Sequence, residues 1–209
     1  LTLTADGAAP GQLLNSQGRL QSDGHLQING GQLNNSGGVL LGRSVGLDTS
    51  GLDNSAKGAV VASQGALDLK LNHGALNNNA GVIDAGEQAL RVTQGGQLDN
   101  QGGTLKGKRL EVAGTALDNR QGQLLAGSDG LNLVAGGLNN AQGMILAKDG
   151  HGEVALGQGT LDNRGGTLQG ATLGVTAGAV DNSALNGKAG LISSQAGALK
   201  LVVDRLTNQ

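Results

Sequence analysis

Aspartate and asparagine recur in this chain at a spacing that suggests chemistry. A triplet of an apolar residue, then Asp or Asn, then Asn reads Leu33-Asn34-Asn35, Leu52-Asp53-Asn54, Leu76-Asn77-Asn78, Leu98-Asp99-Asn100, Leu117-Asp118-Asn119, Leu138-Asn139-Asn140, Leu161-Asp162-Asn163 and Val180-Asp181-Asn182. Variants stand at Leu13-Leu14-Asn15 and Leu206-Thr207-Asn208. Two chemistries are open to such rows. The middle carboxylates, Asp53, Asp99, Asp118, Asp162 and Asp181, are the residue type for a Ca²⁺ stripe, and the final Asn residues for a row of ligand-binding amides. A hard cation needs about six oxygens gathered round one point, and neither an EF-hand loop nor a Gly-Gly-x-Gly-x-Asp loop accompanies these residues. Arg120 and Arg164, two residues beyond Asp118 and Asp162, are placed to offset repulsion between carboxylates of adjacent repeats. The stripe is therefore read as a solvated edge, with no metal and no cofactor.

Other candidates are weaker. His25, His73 and His151 have no partner at metal-ligand spacing, and no His-Glu-x-x-His occurs. Gly150-His151-Gly152-Glu153-Val154-Ala155 imitates a dinucleotide fingerprint, but no helical pattern follows it. Asn34-Asn35-Ser36 matches a glycosylation acceptor inside the repeat itself. No Gly-x-Ser-x-Gly elbow is present. Parallel β-helices include polysaccharide lyases, yet such sites need long loops around a cleft and sugar sites commonly use aromatic platforms. This chain has no Phe, Trp or Tyr, so catalysis is not expected within it.

The elements that position these residues follow from the period. The ten Asn positions Asn15, Asn35, Asn54, Asn78, Asn100, Asn119, Asn140, Asn163, Asn182 and Asn208 are separated by 20, 19, 24, 22, 19, 21, 23, 19 and 26 residues. A short fixed period marks a repeat architecture. Each period holds three apolar pieces. The triplet comes first. A Gly-x-apolar-x-small piece follows, as in Gly103-Leu105-Gly107 and Gly143-Ile145-Ala147. The third piece is apolar-x-apolar, as in Leu110/Val112, Leu131/Leu133 and Val154/Leu156. Period-two alternation is strand behaviour, and glycine at 40 of 209 residues leaves no segment suited to a helix.

Three strands of about three to five residues per period, bounded by Gly, Asn, Asp and Ser, predict an all-β fold. Its form is a right-handed parallel β-helix, a solenoid of about nine coils on the order of 40–50 Å long. An antiparallel sandwich of hairpins explains the strand content but not the constant phase. The whole chain, 1–209, reads as a single β-helical segment with repeat anchors near 13, 33, 52, 76, 98, 117, 138, 161, 180 and 206. It begins and stops inside the pattern, which reads as a fragment of a longer array with further coils at both ends. Two corners look widened, at 148–152 and 183–189, and are the places to seek binding. Period two sets Leu and the final Asn of each triplet on one side. The ten asparagines are therefore expected to form an internal ladder, each amide bonding to the next coil, because an unpaired buried amide costs roughly 1–3 kcal/mol.

Composition narrows the class. A formal net charge of −2 without aromatics argues against nucleic-acid binding. The absence of Cys removes disulfides and thiolate metal sites. No apolar run is long enough to be a transmembrane segment.

The run Gly-Gly-Gln-Leu-Asp-Asn-Gln-Gly-Gly-Thr-Leu-Lys-Gly at 95–107, continuing through Arg109-Leu110-Glu111-Val112-Ala113-Gly114, resembles the repeats of filamentous haemagglutinins, as do Leu161–Gly170 and Leu117–Gly127. The resemblance covers essentially the whole chain. It implies a right-handed parallel β-helix in the shaft of a large exoprotein of Gram-negative bacteria, secreted or held at the cell surface. It further implies a two-partner secretion route through an outer-membrane β-barrel transporter. Some family members are adhesins and others resemble contact-dependent growth-inhibition proteins with a toxin at the far end. A host or neighbouring-cell surface receptor is the further partner that such branches imply. The function implied is a structural shaft projecting distal domains; the alternative is an adhesive module that binds host or matrix glycans or proteins through its own faces or corners.

Overall fold

The computed structural model describes residues 1–5, 11–93 and 95–209. Strands pair in parallel with the equivalent strand one period later, which is the only sheet geometry in which every repeat keeps the same phase. The triplets make one ladder: Leu13 stands opposite Leu33, Leu33 opposite Leu52, Leu52 opposite Leu76, and so on to Val180 opposite Leu206. The Gly-x-apolar pieces make a second, with Leu20 opposite Leu40, Val60 opposite Ile83 and Leu124 opposite Ile145. The apolar-x-apolar pieces make a third, beginning with Leu3 opposite Ile28 and ending with Leu173 opposite Leu199. The chain is an all-β parallel solenoid of about nine turns. No helix occurs among the described residues.

The core is the column enclosed by the three ladders. Its side chains are aliphatic: Leu40, Val60, Ile83, Leu105, Leu124, Ile145 and Leu168 are each fully buried. Each such side chain contributes roughly 1.5–3 kcal/mol by leaving water. The two coil ends are less covered, with Leu1 at 51% and Leu206 at 48% exposure.

Two features differ from the sequence pattern. Many strands are longer than three to five residues: His25–Asn34 and Ser44–Asp53 run from the third ladder into the triplet, and still longer ones lie in the second half. Thr104–Ala113, Gln123–Val134 and Met144–Ala155 continue through the corner between the second and third ladders, and Thr167–Asp181 runs through all three pieces. Some corner residues find partners in the neighbouring coil, as His151 does opposite Thr172 and Arg109 opposite Gly130, while the register shifts there and Gly130 (φ 86°) and Asp149 (φ 60°) turn the chain with left-handed backbone.

The second difference concerns the corner at 148–152. The pattern aligns Val154 and Leu156 with Leu131 and Leu133. The structure pairs Gly152 with Leu131 and Leu173, and Val154 with Leu133 and Val175. Gly152 takes an inward position that leucine fills in both neighbours. A Cβ on it would sit 3.0 Å from Leu173 Cδ1, so the adjacent leucine occupies part of that space. The corner is then 148–151, the same length as those at 63–66, 86–89 and 127–130; short ones lie at 43–44, 108–109 and 171–172. The apparent widening is an inward apolar residue replaced by glycine.

At 183–189 the insertion has its own fold. Leu185 and Lys188 form an antiparallel bridge, with Asn186 (φ 53°) and Gly187 (φ 79°) between them. Two left-handed residues of the Asn-Gly type make a primed hairpin turn. The small hairpin leans on Gly165 of the preceding coil, where a Cβ would lie 3.2 Å from Leu185 Cβ.

Candidate functional site

Every triplet residue has a distinct place. The apolar residue is core. The final Asn is buried from Asn35 to Asn163, with Asn15 at 7% exposure; Asn182 is half-buried and Asn208 exposed at the end. Nδ2 of Asn15, Asn35, Asn54, Asn78, Asn100, Asn119 and Asn140 donates to Oδ1 of the next triplet's Asn at 2.7 Å, and the series continues through Asn163 and Asn182 to Asn208. The second amide proton is shared between two carbonyls. For Asn100 these are Gly103 O in its own corner and Gln123 O in the next coil, both at 3.2 Å. Asparagine is the side chain that can accept from one coil and donate to the next while also reaching the corner backbone.

The glycine three residues on is explained by the same contact. At Gly38, Gly81, Gly103, Gly122, Gly143 and Gly166 a Cβ would run into the carbonyl oxygen of the Asn one coil back and lie 2.6–2.8 Å from Oδ1 of its own Asn. The residue before that glycine has left-handed backbone, whether glycine at Gly102 (φ 60°) or not, as at Gln121 (φ 57°).

The middle residue faces outward and is half-buried, and it does more than meet solvent. Its Oδ1 accepts the backbone N–H two residues later: Asn34 from Ser36, Asp53 from Ser55, Asp99 from Gln101, Asp118 from Arg120, Asn139 from Ala141, Asp162 from Arg164 and Asp181 from Ser183. These Asx turns explain why Asp and Asn interchange there, since either supplies the oxygen. The signal lay in that interchange, which charge alone does not explain.

Asp99 stands opposite Asp118, and Asp162 opposite Asp181. Arg120 clasps Asp118 with Nη2–Oδ2 at 2.7 Å, and Arg164 clasps Asp162 at 2.7 Å while lying 3.9 Å from Asp181. Burial pushes the Asp162 carboxyl up, but hydrogen bonds from the Arg164 side chain and backbone outweigh it and leave it below its ordinary range. No group of three His, Asp or Glu side chains that could hold a metal is found among the described residues. His25 meets Ser44 and Gln27, and His151 meets Thr172 and Glu153, each from the exposed side of the third ladder. His73 lies in a left-handed corner (φ 67°).

The outer faces differ in character. The third ladder carries charge. Arg91 bridges Asp68 at 3.2 Å and Glu111 at 3.1 Å, across three coils. Hydrogen bonding from Arg109 chiefly, with Arg91, holds the Glu111 carboxyl low. The second ladder has half-buried apolar side chains on its outside, and the short corner at 108–109 leaves a groove of about 440 Å³ beside Lys106, Lys108, Leu125, Leu146, Lys148 and Asp149. Lys106 is paired with Asp84 and Lys108 with Asp129, each at 3.3 Å.

A model of the haemagglutinin repeat matches this chain at residues 1–70, 68–102, 104–156 and 149–202. The chain is 37% identical over 130 residues to a protein of Dickeya dadantii (strain 3937) named deoxyribonuclease CdiA. The aligned part is 61% of this chain and 4% of that relative. No solved structure matches.

Proposed function

The chain belongs to the haemagglutinin repeat family, and on that premise we propose that it is a structural shaft segment of a large exoprotein, secreted or displayed on the surface of a Gram-negative cell, that projects functional domains lying elsewhere in that protein. The observation that supports this is the uniformity of the stack. The same Asn contact, the same Asx turn and the same glycine recur from coil to coil, so each coil supplies length rather than a distinct site. The coiling of the rod is right-handed, the hand that parallel crossovers favour. Export through an outer-membrane β-barrel transporter suits such a chain. Contacts are made between successive coils, which lets folding propagate as residues emerge, and there is no Cys to cross-link before passage.

Removal of whole coils from the full-length protein tests the reading. Excising residues 98–137 joins one triplet to the phase of another and shortens the rod by about 10 Å. A shaft keeps its fold and the activity of its distal domain, whichever coils are removed. Loss of activity on removing one particular pair, with others silent, overturns it. A second reading, an adhesive module, is favoured by the hairpin at 183–189, whose Asn186, Gly187 and Lys188 are exposed. A glycan array and a matrix-protein panel, probed with the segment before and after deletion of 183–189, separate the two: a shaft binds nothing in either form.

A further inference from the structure

The outer side of the second ladder has an order that the repeat does not require. The position three residues after the corner glycine points outward there. Along successive coils it is Gln21, Leu41, Val61, Asp84, then Lys106, Leu125, Leu146, Gln169 and Ser193, each directly opposite the next. Read from the midpoint between Asp84 and Lys106, the four positions on either side mirror each other with the charge inverted, and Ser193 lies beyond them. The companion column adds Val39 and Val82 on one side and Met144 and, farther out, Leu191 on the other, with Val82 and Met144 each 40% and Leu191 45% exposed. The outer side of the third ladder carries the ion pairs of Arg91 with Asp68 and Glu111, and its exposed Val134 and Val202 lie coils apart, whereas on the second ladder apolar side chains stand opposite one another in successive coils.

We propose that this face is a self-association surface on which a second copy of the chain packs antiparallel, about a two-fold axis parallel to the strands and passing between the coils of Asp84 and Lys106. That symmetry sets each coil of one copy against the coil equally far from the axis on the other. Leu41 meets Leu146, Val61 meets Leu125, and Asp84 meets Lys106, each contact occurring twice as an isologous interface requires. Gln21 and Gln169 close the ends as a polar rim. A parallel arrangement sets each coil against its own copy, placing Lys106 near Lys106 and Asp84 near Asp84, so charge selects the antiparallel one. Eight coils at about 4.8 Å, by strands of roughly 13 Å, cover on the order of 500 Å² per copy. The total is near the ~1,000 Å² at which specific association begins. This segment therefore pairs weakly alone, and pairing strengthens where a longer array repeats the contact.

Sedimentation of the purified chain across a concentration series reads the association. The expected result is a reversible monomer–dimer equilibrium that Lys106→Glu weakens by about tenfold or more. Lys106→Glu and Asp84→Lys, each impaired alone, regain a dimer when mixed, because opposite charges then face each other only between unlike copies. Asp84 Oδ1 also holds the Gly86 N–H at 2.7 Å, so a second arm leaves Asp84 intact. The chain has no Cys; Leu41→Cys and Leu146→Cys variants are treated with a short bis-maleimide. Cross-linking of the mixture and of neither variant alone supports the antiparallel pair. A monomer at every concentration, or a Leu41→Cys homodimer, overturns it, and either result leaves the shaft reading standing.

Discussion

Replacing Asn119 by leucine interrupts the buried amide row in mid-array, and its size follows from the bonds that Asn119 makes. Its Oδ1 accepts from Asn100 and its Nδ2 donates to Asn140, both at 2.7 Å. Nδ2 also reaches Gly122 O at 3.3 Å and Met144 O at 3.4 Å. Leucine fills the volume but leaves Asn140 Oδ1 without its donor and removes the best acceptor of Asn100. Each orphaned buried group costs about 1–3 kcal/mol, so the variant loses roughly 2–5 kcal/mol. Asp118→Asn, one residue earlier, is the control. It keeps an Oδ1 to accept the Arg120 N–H and loses only the charge opposite a guanidinium whose side chain is 49% exposed. That change is small, because a solvated ion pair adds little to stability. Thermal and denaturant unfolding, followed by far-ultraviolet circular dichroism, compares the two variants. Because coils interact with their neighbours alone, Asn119→Leu also divides the transition into two. Equal melting temperatures for the two variants would refute the argument that the amide row holds the coils together.

Further outcomes follow from other contacts. Gly103→Ala places a Cβ against the Asn78 carbonyl and is strongly destabilising, whereas Gly102→Ala meets nothing within 4 Å and loses only about 1 kcal/mol to its left-handed backbone (φ 60°); denaturant midpoints of the two rank them. Thr49 is buried and its Oγ1 has no hydrogen-bond partner among the described residues, so Thr49→Val raises stability by about 1 kcal/mol in the same assay. Asp48, held low chiefly by Asn72 and then Lys70, and Glu111 and Asp162 all titrate below their ordinary values in the folded chain. A lowered folded value gives stability that is full above the unfolded carboxylate range, about 4, and is lost as pH falls through the folded values. The melting temperature therefore drops modestly on acidification below about pH 4, and 1 M salt blunts the effect because these pairs are largely solvated.

The architecture is legible in the repeat alone. Period-two apolar pieces at constant phase allow one arrangement in which every repeat is equivalent, and that is a parallel solenoid with a coil for each triplet. The repeat's core residues, such as Leu98, Leu105 and Leu110, could be placed from phase alone, since strand alternation is a local rule. Contacts between coils settle the rest. Gly152 and not Val154 pairs with Leu131, because register is set by the neighbouring ladder and a glycine there is covered by Leu173. The corner glycine is required by the Asn of the previous coil, a residue 22–27 positions away that no local rule connects to it. The middle Asp or Asn secures its corner through an Asx turn, where hydropathy read only a solvated edge. The mirrored order of the outer column around Asp84 and Lys106 emerges once stacking places residues of successive coils side by side. Local chemistry specifies a strand and a turn; which side chain faces which across coils is a property of the stack.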